Sequence, residues 1–115
     1  MKKPNDADLL NHILDAIEKI ETYLLGFDLE MLKRNEEKID VVVRNIEIIG
    51  EATTCLDRGL KAKYPQVERR FATATCNRLI HGYFDVDAEI VWHTTQYDLP
   101  KLKTDIERIS EELKK

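Results

Sequence analysis

Asn77, His81 and Tyr83 set an amide, an imidazole and a phenol within the seven residues 77–83, directly after a basic stretch of chain. If that stretch is helical, Asn77 and His81 are four residues apart and share one face, within reach of a single phosphate group. Histidine titrates near neutral pH, so it can take the proton of a ribose 2′-hydroxyl or give one to a departing 5′-oxygen. Cleavage of RNA by that route needs no metal and leaves a 2′,3′-cyclic phosphate. Asn77 would orient the phosphate or the imidazole, and Arg78 would bind phosphate beside them. The plain alternative is a histidine that ends a helix beside Gly82, where the helix dipole favours it, followed by an interfacial tyrosine.

Charge is distributed in a way that suits such a site. The chain carries a net charge of −4, yet from Asp57 to Arg78 six cations face two anions, a local balance of +4 that leaves −8 on the remainder. One face can then attract phosphates while the rest keeps the protein soluble and can receive a basic partner. A solvated helix face would read the same way from charge alone. Cys55 and Cys76 are too far apart in sequence for a short metal-binding pair and are read as small, half-buried hydrophobes rather than a disulfide.

The elements that must position these residues are helical. With 115 residues, 43% of them apolar, and only 4 Gly and 3 Pro, the chain suits one domain, residues 1–115, with one core. Leu9, Leu10, Ile13, Leu14, Ile17, Ile20 and Leu24 recur at helical spacing, with Asn5, Asp6 or Asp8 as cap and Gly26 as stop. Asp28 starts a short helical piece, and the charged run 33–38 is a solvated helix or connection. A long pattern from Ile39 to Leu60 predicts one helix of about six turns, ended by Tyr64-Pro65. A fourth helix carries Val67 and Phe71 through Ile80 and stops near Gly82. Asp87 caps the last pattern, Val91 to Leu113, which Pro100 kinks or breaks. Four or five helices with short connections predict an all-α, antiparallel bundle without strands. No apolar run reaches the length of a membrane span, and the polar start 1–6 precedes no signal-peptide core, so a cytoplasmic protein is expected.

The segment Asn77 to Asp87, followed by Glu89-Ile90-Val91-Trp92 and Asp98-Leu99-Pro100, resembles the C-terminal half of the HepT-like toxins of the HEPN superfamily. Leu9-Leu10, His12-Ile13-Leu14 and Ala16-Ile17 resemble that family's opening helix, Arg44 to Ala52 its second motif, and Tyr64-Pro65 its interhelical turn. The resemblance is colinear over essentially the whole chain. It implies a homodimeric HEPN bundle acting as a metal-independent ribonuclease toxin on cellular RNA such as tRNA or mRNA, with no cofactor. It also implies a nucleotidyltransferase antitoxin of the MNT type, which would silence the toxin by transferring AMP to Tyr83, two residues after His81. The added charge and bulk would close the cleft to RNA.

One departure stands out. The family motif begins with an arginine, and Cys76 holds that place. An arginine there would brace the phosphate as charge builds, and losing one such donor typically costs about 10² to 10³ in rate. Arg70 and Arg78 are partial substitutes on other helical faces. Arg44 and Glu51, seven residues apart, share a face that would line the cleft or the dimer seam, or would simply be exposed charges. His12 and His93 have no metal-ligand spacing and are read as surface residues, and Trp92 as a core or interface aromatic. Two rival readings remain open: a catalytically silent scaffold that binds RNA or the nucleotidyltransferase, and a subunit that presents nucleotide to it.

Overall fold

A computed structural model describes residues 4–67, 80–81 and 85–115, with 80–81 and 85–86 described by their backbone. Helix α1 spans Asp6–Tyr23 and starts where the Asn5 side-chain oxygen accepts the Asp8 N–H at 2.8 Å. Leu9, Leu10, Ile13, Ala16, Ile17 and Ile20 form its buried stripe, and Gly26 turns the chain with φ +77°, a conformation that needs no Cβ. Asp28 caps the short α2, Leu29–Lys33, by accepting the Met31 N–H at 2.8 Å.

Helix α3, Glu36–Cys55, starts at Asn35, whose side chain accepts the Lys38 N–H at 2.9 Å. Ile39, Val42, Val43, Ile46 and Ile49 are buried, and this packing offsets the weak helix propensity of three consecutive valines. Each fully buried Ile or Leu of this kind stabilises the fold by about 1.5–3 kcal/mol relative to exposure. Helices α1 and α3 run antiparallel: Lys38 near the start of α3 lies over the rings of Tyr23, the last residue of α1, and Phe27 beyond it, while Asp57 after α3 meets Asp6 at the near end.

The single long helix expected over 39–60 is two helices. α3 ends at Cys55, Leu56 is extended with ψ 150°, and α4 covers Arg58–Lys63. Two causes act together. Thr53 and Thr54 turn their hydroxyls back to the carbonyls of Ile49 and Gly50, at 2.8 and 2.9 Å, which loosens the last turn. Asp57 then caps α4 by accepting the Gly59 N–H at 2.9 Å, while its own N–H donates to the Asp6 carboxylate at 3.0 Å. Residues 65–67 form a further helical turn, with Val67 buried.

The helix expected to run to Gly82 is not helical where it is described at its end. Strand β1, Ile80–His81, pairs antiparallel with β2, Asp85–Val86, so that Ile80 faces Val86 and His81 faces Asp85. β-Branched residues at both Ile80 and Val86 favour extended backbone, and the pairing outweighs the helical spacing of the apolar positions. This two-residue ladder is the one departure from the all-α plan among the described residues.

Helix α5, Ala88–His93, begins at Asp87, whose carboxylate accepts the Glu89 and Ile90 N–H groups at 2.9 and 3.3 Å. A π-helical segment, Thr94–Asp98, connects it to α6, Leu99–Leu113. Pro100 thus does not break the helical run. It sits in the first turn of α6, where its missing N–H costs little, and the widened turn before it absorbs the ring. Leu99, Leu102, Ile106 and Ile109 pack α6 against α1 in the shared core. Lys103 donates to Glu21 at 2.9 Å, and that bond holds its ammonium pKa above the ordinary lysine value. Trp92 is half-buried and packs on the core's edge.

Candidate active site

The chain enters β1 from the basic stretch and leaves β2 straight into the Asp87 cap, so His81 stands at the mouth of α5, six backbone positions before that cap. Asp87 binds two N–H groups, which fixes the direction in which α5 departs. The first turn of α5 is also tied sideways: Lys33 of α2 pairs with Glu89 at 3.2 Å and with Glu30 at 3.4 Å. The Glu89 bond leads the causes that raise the Lys33 pKa, with Glu30 adding to it. α5 packs against α2 and α3, so the base of the site rests on three helices.

Within that frame the backbone of His81 is extended and faces Asp85, so the expected helical face shared by Asn77 and His81 does not reach His81. Arg70, Cys76, Asn77, Arg78 and Tyr83 lie outside the described residues. Arg44 is exposed on α3 and pairs with Glu47 at 3.5 Å, and Glu51 is exposed on the same helix. Cys55 is half-buried against the core, as a small hydrophobe would be. His12 is exposed. His93 is exposed too, with Nδ1 3.8 Å from an Asp98 oxygen.

Sequence reasoning missed two buried polar residues. Asn45, 7% exposed, lies on the inner side of α3 and donates to the Val41 carbonyl at 2.9 Å; Asp105 is 7% exposed on α6. Their signal was position, since Asn45 is next to Ile46 and Asp105 next to Ile106 in otherwise apolar stripes. Among the described residues no group of three or more His, Cys, Asp and Glu side chains could hold a metal ion, and no helix is long and apolar enough to cross a membrane.

The described part is a small helical domain in which His81 lies, in the chain, between a basic stretch and the capped helix α5. The comparison with known families makes it particular: the family described as Ribonuclease HepT-like matches residues 13–109, and the chain belongs to it. A Methanocaldococcus jannaschii protein named "Gamma-glutamylcyclotransferase and putative RNase" is 39% identical over 106 residues, which cover 92% of this chain and 48% of that protein. "Probable ribonuclease HepT" of Thermococcus cleftensis is 33% identical over 107 residues, covering 93% of this chain and 97% of the other. A second M. jannaschii protein, "Putative RNase", is 31% identical over 113 residues, covering 98% and 97%. The chain thus spans about half of the first relative and nearly all of the other two. No solved structure matches the chain.

Proposed function

We propose that the protein is the toxin of a HEPN/MNT toxin–antitoxin pair, a homodimeric, metal-independent endoribonuclease of the cytoplasm. His81 serves as general acid or base on the ribose 2′-hydroxyl or the 5′-oxygen, Asn77 orients the phosphate, and Arg70, Arg78 and Arg44 supply positive charge to the RNA. The nucleotidyltransferase antitoxin transfers AMP to the Tyr83 hydroxyl. The observation that carries this reading is the family match over residues 13–109, a range within which Cys76 to Tyr83 fall. Dimerisation would bring two copies of that block to one cleft, so that two modest basic patches act as one groove.

Cys76 weakens the enzyme in this account, because a thiol carries no fixed positive charge for the phosphate. It also favours a second reading, in which the chain is a catalytically inactive HEPN scaffold that binds RNA or the nucleotidyltransferase. Expression in cells separates them. The toxin reading expects slowed growth that deepens with Cys76→Arg, disappears with His81→Ala, and is relieved by a co-expressed nucleotidyltransferase that adds the mass of AMP to Tyr83. Normal growth with both the unaltered chain and Cys76→Arg would favour the scaffold.

A further inference from the structure

The last third of the chain presents a face that the proposed mechanism does not use. His93 at the end of α5 and Tyr97 in the π-helical segment place their rings 4.7 Å apart, tilted by 35°, and Tyr97 is 57% exposed. Continuing along α6, Lys101, Thr104 and Arg108 follow Tyr97 at steps of four, three and four residues, which keeps them on one helical face. All are exposed, while Leu102, Asp105, Ile106 and Ile109 turn inward.

Single exposed aromatics are ordinary. This one is different in its setting. The Tyr97 ring is held by a neighbouring ring on a widened turn, a feature common at functional sites. Cations also stand one and three turns further on. Among the described residues neither Lys101 nor Arg108 belongs to an ion pair, whereas Lys103, off the stripe, is engaged by Glu21. Glu107 borders the stripe, and Glu111 near its end is paired with Lys114 at 3.6 Å. Asp98 sits beside His93, with an oxygen 3.8 Å from Nδ1. The arrangement is an aromatic platform followed by exposed cations, which is how sequence-tolerant single-strand binders grip bases and backbone.

We infer that the stripe His93, Tyr97, Lys101, Thr104 and Arg108 is a binding track for single-stranded RNA, with Tyr97 on His93 stacking one base and Lys101 and Arg108 contacting phosphates. This rests on the ribonuclease reading and extends it. α5, six residues and about 9 Å long, separates β2 from His93 in the chain. The track recognises an unpaired segment, since duplex RNA offers no free base face to Tyr97.

The test is fluorescence anisotropy with a short 2′-O-methyl oligonucleotide, single-stranded and without the hydroxyl that cleavage requires, alongside cleavage of unmodified RNA. Tyr97→Ala should weaken binding about tenfold or more, and Tyr97→Phe should restore it. Lys101→Gln with Arg108→Gln should lower the salt slope by about 1.4, at roughly 0.7 per phosphate contact on a single strand. All three positions are exposed, so circular dichroism should be unchanged. If the unaltered protein binds or cuts RNA and these variants match it in affinity and slope, the track is wrong and the ribonuclease reading stands. If neither the unaltered protein nor Cys76→Arg binds or cuts RNA, the ribonuclease reading fails and takes the track with it.

Discussion

Replacing Asp6 with alanine tests how the molecule divides α3 from α4 and so directs the chain toward its site. The Asp6 carboxylate accepts the Asp57 N–H at 3.0 Å across 51 residues of sequence, at the point where the helical pattern is interrupted. A hydrogen bond to a charged group contributes about 1.5–3 kcal/mol when sheltered. The bond is exposed, with Asp57 exposed and Asp6 half-buried, so solvent screening brings the figure toward about 1 kcal/mol. Asp6 also stands in the first turn of α1, where a carboxylate contributes about 0.3–1 kcal/mol through the helix dipole. The exposed Asp57 N–H can turn to water, so no penalty for a buried orphan is added. Asp6→Ala should therefore cost about 1–2 kcal/mol, or about 4–8 °C in Tm for a domain of this size. Asp6→Asn, which keeps an acceptor, should lose less than half as much. Urea denaturation gives the energies, and amide exchange at Asp57 gives the local effect. If Asp6→Ala matches the unaltered protein within experimental error and Asp57 exchange does not quicken, the clasp has no part in ending α3.

Ile46 is fully buried at the α1–α3 seam, and Ile46→Ala should destabilise by about 2–5 kcal/mol in the same denaturation experiment. Glu89→Gln should remove the leading cause of the raised Lys33 pKa. A pair that raises the folded pKa stabilises fully below the ordinary lysine value of 10.5 and loses that contribution as pH rises through the folded value, so the gap in stability between the two proteins should be present near neutrality and close in strongly alkaline buffer. A gap that widens there would contradict the assignment. Tyr83→Phe should abolish AMP transfer by the nucleotidyltransferase while leaving RNA cleavage intact, as mass spectrometry and a gel assay would show.

Local signals in the chain were read correctly where the cause is local. Asp28 and Asp87 cap helices, and Asn5, one of three candidates with Asp6 and Asp8, caps α1, because a short polar side chain before an apolar periodic run has few better partners than the first N–H groups. The buried stripe of α1 from Leu9 to Ile20 follows from spacing alone, although Leu14 is only partly buried. What escaped was set by distant partners. The break at Leu56 depends on Asp6, the ladder of Ile80 and His81 depends on Asp85 and Val86, and the π-helical turn depends on how the backbone before Pro100 meets the core. The site divides the same way. The roles proposed for Asn77 to Tyr83 rest on residue type and spacing, and the helical face proposed for His81 gives way to extended backbone. The ring contact of His93 with Tyr97 lies on the π-helical turn, which no local signal in the chain announces.

The most direct measurement is RNA cleavage in EDTA, with the termini of the products identified, for the unaltered chain, Cys76→Arg and His81→Ala. The account predicts slow cleavage to 2′,3′-cyclic phosphate ends by the unaltered chain, a rise of about 10² to 10³ in rate with Cys76→Arg, and none with His81→Ala. Cleavage that survives His81→Ala, or that appears only when a divalent metal is added, would contradict it.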